Sequence, residues 1–335
     1  MPANLTQQYK KAEDNYRRSE TPEDELRWLQ VMLAEMPKHK GTDHLQAKLK
    51  TQISQVKKDI ESQRSRGSSG GGGSSRSFRV PRQGAGTAVI IGGPNSGKSQ
   101  LLASLTRATP EIASYPFTTK QPYPGMMAWE DVFVQLIDTP PITLDFLEPY
   151  IVGMLRSADL ALLMVDLGDD SGMEQAKEVI DKLKTTKTRL AAESSLDEED
   201  VGLAFTRTYV LANKIDDPEA LERLELFHEI CPLPFREFKI SANMPENLTE
   251  LRNSIYQSLD VIRIYTKDPR KKEPDRDKPF TLARGENLLD LAELIHKDYA
   301  KNLKFGKVWG NAVHDGTIVK GDYILNDLDV VEIHV

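Results

Sequence analysis

Eight consecutive residues restrict this chain more than any others. Gly92-Gly93-Pro94-Asn95-Ser96-Gly97-Lys98-Ser99 fits the pattern G-x-x-x-x-G-K-[ST]. It directly follows the apolar run Thr87–Ile91 and precedes a helical pattern at Gln100–Leu105. A strand, a glycine-rich loop and a helix in that order form the context in which such a loop cradles phosphate with its backbone N–H groups. Lys98 is then expected to reach the β- and γ-phosphates and Ser99 to ligate Mg²⁺. Gly92, Pro94, Asn95, Ser96, Gly97 and Gln100 complete the expected phosphate-binding set.

The residues around this loop continue the same architecture. Short apolar runs at Thr87–Ile91, Val132–Ile137, Leu160–Val165, Tyr209–Leu211 and Arg236–Ile240 predict strands. Amphipathic patterns predict helices at Lys98–Arg107, Phe146–Arg156, Met173–Lys184, Pro218–Glu229 and Pro245–Ile262. This alternation predicts an α/β fold with a mostly parallel sheet covered on both faces. Residues 185–207, polar and acid-rich near Asp197–Asp200, read as an exposed loop or small excursion.

Around this unit, assigned to residues 85–267, the composition changes. Residues 1–65 read as a charged helical hairpin, with Leu26, Leu29, Met32 and Leu33 on one stripe and Leu45, Leu49, Ile53 and Val56 on the other. That thin stripe is expected to pack on the main domain or on a partner. Residues 66–84 form a linker, Gly/Ser-rich at 67–75. A charged, proline-containing linker covers 268–278, and 279–335 reads as a small α+β domain. Its expected elements are a strand at Pro279–Ala283, a helix at Leu288–Tyr299, and strands near Val308 and at Val330–Val335. Lys297, Lys301, Lys304 and Lys307 form either a basic stripe or part of a mixed surface, and Trp309 is expected to pack the small core.

The bulk numbers exclude several classes. With 335 residues and a net charge of −7, the chain has no overall basicity with which to coat nucleic acid, and no DNA specificity is evident. The single cysteine, Cys231, excludes an internal disulfide and reads as a structural thiol in a reducing, cytoplasmic setting. No run approaches the roughly 20 apolar residues of a membrane span. The six histidines show no paired metal-ligand spacing.

Three further motifs narrow the ligand. Asn213-Lys214-Ile215-Asp216 ends an apolar strand, where the Asp216 carboxylate can accept from the N1–H and exocyclic amino group of guanine. Adenine lacks that amino donor. Ser241-Ala242-Asn243 follows the next strand and fits a loop closing over the base. Asp138-Thr139-Pro140 ends Val132–Ile137, where the acid can hold Mg²⁺ through water. Pro141 then stands three residues after Asp138 and has no N–H to offer a γ-phosphate, and Ile142 cannot orient a water by hydrogen bonding. Tyr115-Pro116-Phe117-Thr118-Thr119 supplies two threonines, either of which could bind Mg²⁺ in a loop that orders with triphosphate.

Taken together, these segments resemble the Obg-like superfamily of GTPases, and most closely its branch of developmentally regulated GTP-binding (DRG) proteins. The tail residues Arg284-Gly285, Ile295-His296-Lys297, Lys304-Phe305, Val308-Trp309-Gly310, Gly321 and Asp327–Ile333 resemble that family's ubiquitin-like TGS domain. Lys38–Lys50 resembles its N-terminal helical segment. The resemblance implies GTP hydrolysis to GDP, with Lys98 and Thr119 as catalytic groups and Ser99, Thr119 and Asp138 around Mg²⁺. It also implies K⁺ beside Asn95, and a ribosome, rRNA or translation-factor partner met through the TGS domain and N-terminal helices. Two departures stand out: Pro141 replaces a family glycine, and the small domain that DRG proteins insert in the GTPase domain is missing.

Overall fold

The computed structural model describes residues 6–19, 21–37, 42–66, 80–108, 121–197, 200, 202–271 and 273–335, with side chains omitted for 62–66. The linker at 67–75, the segment 38–41 and Tyr115–Thr119 lie outside these residues.

The chain opens with α1 (Gln7–Arg17), α2 (Pro22–Glu35) and α3 (Asp43–Arg66). Thr6 and Thr21 cap the first two helices by accepting from Tyr9 N and Asp24 N, with Pro22 in the first turn of α2. The expected hairpin is therefore a three-helix unit. Tyr9, Ala12 and Tyr16 of α1 are buried against Leu29, Met32, Leu49, Val56 and Ile60. The unit rests on the main domain, since Leu196 and Ala204 belong to the same cluster. Two arginines, the buried Arg17 and the half-buried Arg156, fasten the contact. Arg17 donates to Phe205 O and Ala158 O, and Arg156 lies over the Tyr16 ring.

The main domain runs β1 (Thr87–Gly92), α4 (Lys98–Leu105), β2 (Tyr123–Trp129), β3 (Val132–Asp138), α5 (Pro149–Ser157), β4 (Leu160–Asp166) and α6 (Ser171–Lys184). It continues with β5 (Thr188–Ala191), β6 (Ser195–Leu196), β7 (Ala204–Asn213), α7 (Ala220–Ile230), β8 (Arg236–Lys239) and α8 (Thr249–Ser258). The strand order is β2-β3-β1-β4-β7-β5, with β6 and β8 also on β7. β3, β1, β4, β7 and β8 are parallel, and only β2 and β6 run against them. Every residue of β1 and β4 is buried, as expected of central strands covered on both faces. One face packs α4 and α8 through Leu101, Leu105, Leu251 and Ile255. The other packs α5, α6 and α7 through Ile151, Val179 and Phe227.

The segment 185–207 is not an exposed loop. It holds β5, β6 and the first half of β7, and Thr188, Ala204 and Thr206 are buried. The antiparallel edge strand β2 carries no clear strand signal in sequence, because Pro124 and Gly125 interrupt its pattern.

The C-terminal sheet consists of β9 (Val261–Thr266), β10 (Asp275–Ala283), β11 (Phe305–Gly310), β12 (Val313–Val319) and β13 (Asp329–His334), in the order β10-β9-β13-β11-β12. It packs α9 (Leu288–Ile295), closed by an Asn287–Asp290 capping box, and α10 (Lys297–Asn302) follows. The expected helix at Pro245–Ile262 thus ends at Ser258, because Ile262 and Ile264 enter the C-terminal core. The expected helix Leu288–Tyr299 is two helices broken at His296, whose backbone is extended. Trp309 is half-buried rather than a core residue, with the Lys267 ammonium 4.6 Å from its ring centre.

Arg263 of β9 fastens this sheet to the main domain. Its guanidinium meets Glu130 and Asp131 in the β2–β3 turn and Asp327 before β13, and it lies over Trp129. Trp129 in turn stacks on Tyr256, with ring centres 3.5 Å apart.

Candidate nucleotide-binding site

Parallel strands deliver their carboxyl ends to one edge, where α/β sheets bind ligands. Four of the motifs read from sequence meet at this edge. Gly92 ends β1, Asp138 ends β3, Asn213 ends β7, and Ser241–Asn243 follows β8. Thr119, expected with them, lies outside the described residues.

The 92–99 loop leaves β1 and turns into α4 at Gly97, which has φ +92°. A Cβ there would lie 2.3 Å from Asn213 Nδ2, so both the conformation and the space require glycine. Asn95, at φ +56°, stands exposed on the crest, a conformation that asparagine tolerates. Pro94 is half-buried, and Gln100 in the first turn of α4 reaches Ser104.

Lys98 is 6% exposed. Its Nζ donates to Gly93 O at 2.6 Å and Gly92 O at 3.2 Å, and reaches Ser96 Oγ at 3.4 Å. The ammonium is thus folded into the carbonyls of its own loop. Burial lowers its pKa to about 8, against a smaller opposing pull from Asp138.

The Ser99 hydroxyl donates to Asp138 Oδ2 at 2.5 Å, and Asp138 is fully buried. A hydroxyl beside a carboxylate is an all-oxygen donor pair that suits Mg²⁺, an ion that completes its shell with phosphate oxygens and water. Beyond Asp138, Thr139 Oγ1 donates to Ile90 O at 2.8 Å and Ile142 N donates to Gly92 O at 3.2 Å. The turn is therefore held against the phosphate loop. Pro141 and Ile142 are both buried and present no side-chain donor.

Asn213 joins two loops. Its Nδ2 donates to Ser96 O at 2.9 Å, and its Oδ1 accepts from Ala242 N at 2.9 Å. The phosphate loop and the 241–243 loop are thereby fixed to one amide. Ala242 O also accepts from Ser104 Oγ at 2.6 Å. Ser241 is buried, while Asn243 and Asp216 are exposed.

Two further residues at this edge belong to none of the motifs. Asp166 ends β4, pairs with Lys214 Nζ at 2.6 Å and accepts from Gly168 N. A charge closing the apolar run Leu160–Val165 was the available signal. Arg223 on α7 spans the loops after β4 and β7, and nothing in its local pattern marks it.

This edge has the form of a P-loop nucleotide site. Family models agree: residues 87–194 match the 50S ribosome-binding GTPase family and residues 262–335 match the TGS domain. The second match begins at β9, in keeping with its place in the C-terminal sheet. An uncharacterized GTP-binding protein of Methanocaldococcus jannaschii is 29% identical, covering 93% of this chain and 92% of that one. Developmentally-regulated G-protein 3 of Arabidopsis thaliana is 29% identical over 90% of this chain and 95% of its own. Ribosome-interacting GTPase 1 of Saccharomyces cerevisiae is 25% identical over 93% of this chain and 99% of its own. The chain thus carries a GTPase domain and a TGS domain, and over about nine-tenths of its length it is similar to GTP-binding proteins that include developmentally regulated G-proteins.

Proposed function

We propose that the chain hydrolyses GTP to GDP and phosphate slowly, as a conditional switch acting in translation. The observation that carries this reading is the Asn213 tie, which holds the phosphate loop and the base loop in one rigid frame. A triphosphate entering the loop supplies acceptors that replace Gly92 O and Gly93 O for Lys98. Ser99 and Asp138, joined by Thr119, would hold Mg²⁺, whose charge offsets that of the phosphates. Asp216 reads guanine, and the 241–243 loop covers it.

The attacking water is the weak point. Pro141 has no N–H, and Ile142 has no polar side chain and is buried. We therefore assign the missing assistance to K⁺ near Asn95 or to a partner. The described residues hold no helix long and apolar enough to cross a membrane. A ribosome, rRNA or translation factor in the cytoplasm is the partner proposed for the TGS domain and the N-terminal helices, in line with the similarity to the ribosome-interacting GTPase of yeast.

A second reading is favoured by Pro141 itself: a nucleotide-binding scaffold that hydrolyses little and presents its TGS domain. GTP turnover in K⁺ and in Na⁺ buffers, each with and without ribosomes, separates the two. Stimulation by K⁺ or ribosomes supports the switch. Tight binding with no turnover in any condition supports the scaffold.

A further inference from the structure

The residue that reads the base stands on a loop that needs outside support. Asp216 is exposed, between Lys214 at φ +64° and Asp217. To accept two hydrogen bonds from one base edge, its carboxylate must be held within a fraction of an ångström. The structure points to Arg223 as the residue that fixes this loop.

Arg223 lies in the first turns of α7 with its side chain 12% exposed. Its Nη1 donates to Asp217 Oδ1 at 2.8 Å, beside Asp216, and to Leu167 O at 2.9 Å, in the loop beyond β4. Its Nε donates to Asp170 Oδ1 at 2.7 Å, just before α6, and its Nη2 to Glu219 Oε2 at 2.5 Å. One planar fork thus reaches acceptors on both loops, a span a lysine ammonium cannot reproduce. Asp217 is held a second time, by Glu219 N at 3.0 Å. Nearer the sheet the same two loops are already zipped, by Leu167 N donating to Asn213 O and by Lys214 to Asp166. Arg223 closes the outer end, and Asp216 lies between the two fastenings.

We propose that Arg223 is a positioning residue for guanine specificity, holding the Asp216 loop against the loop that follows β4. The proposal deepens the guanine-nucleotide reading above and rests on it. Touching no phosphate-loop residue, Arg223 should govern base recognition and leave phosphate binding intact.

The test uses the full chain as wild type and as Arg223→Ala, Arg223→Lys and Asp216→Asn. Fluorescent GDP is displaced by GTP, by ATP and by inorganic triphosphate, which engages the phosphate loop alone. For Arg223→Ala the expected result is a GTP-over-ATP preference reduced about tenfold, with triphosphate affinity unchanged. Arg223→Lys should recover only part of the preference, and it supplies the reading if the alanine variant does not fold. An unchanged preference overturns the proposal, as does an equal loss of triphosphate binding, which marks a merely structural role. Asp216→Asn separates the two levels. If it abolishes the preference while Arg223→Ala does not, only the positioning role fails. If it too leaves the preference intact, the guanine reading fails.

Discussion

Nucleotide affinity should fall as pH rises through the titration of Lys98. In the free protein its ammonium is buried on Gly92 O and Gly93 O, and burial lowers its pKa from 10.5 to about 8. A polyphosphate beside it favours the charged form and returns the value toward 10.5. Binding therefore takes up a proton wherever the free lysine is neutral. With values of about 8 free and 10.5 bound, affinity drops about fourfold between about pH 7 and 8.5, or about 0.8 kcal/mol. The free protein carries the opposite dependence. Its folded value lies below the unfolded one, so the cost of burying the ammonium is full below about pH 8 and is relieved as pH climbs from there toward 10.5. The assay is a fluorescent-GDP titration at constant ionic strength across that window, with Lys98→Met as control. The window stops at about pH 8.5 because guanine itself loses a proton at higher pH. Wild-type affinity that stays flat, or a methionine variant with the same slope, refutes the reasoning.

Other expected outcomes follow from the same geometry. Asn213→Ala should weaken GDP and GTP binding together, by about tenfold, because Ser96 O and Ala242 N lose their common partner; calorimetric titration measures it. Asp159→Ala should destabilise the fold by about 3 kcal/mol in denaturant unfolding, since it strips Arg18, Arg82 and Thr87 N of a buried acceptor. Arg263→Ala should cost about 2 kcal/mol by freeing Asp131 and Asp327. Burial pushes both carboxyls up, but hydrogen bonds from Tyr265 and Arg263 on Asp131, and from Arg263 on Asp327, outweigh it and hold both below the ordinary range. The stability they confer is complete above about pH 4 and is lost as pH falls through the folded values, so acid unfolding should begin at higher pH in Arg263→Ala. Pro141→Gly should raise GTP turnover in a single-turnover assay, by restoring an N–H beside the γ-phosphate.

What the sequence made legible followed from local chemistry. The phosphate loop is readable because strand, glycines, Lys98 and helix are contiguous, and β4 because Leu160–Val165 is an unbroken apolar run. The elements that were missed depend on distant partners. α1 carries few apolar residues in a charged segment, and Tyr9 and Tyr16 acquire meaning only against α2 and α3. β5 and β6 are four and two residues long and owe their existence to pairing with β7. β9 continues a helical pattern in sequence, yet Ile262 and Ile264 are claimed by a core formed chiefly by residues beyond 280. At the site, Lys98, Ser99, Asp138 and Asn213 were named from motifs. The two roles of the Asn213 amide, the Lys214–Asp166 pair and the Arg223 fork arise between residues far apart in the chain.

The most direct test of the central claim is displacement of fluorescent GDP from the full chain in Mg²⁺ at about pH 7, by GTP, GDP and ATP in turn. The account predicts that GTP and GDP compete effectively and that ATP is at least about a hundredfold weaker, because the Asp216 carboxylate meets no donor pair on adenine. Equal competition by ATP would contradict it, and would leave 92–99 a phosphate loop without a guanine site.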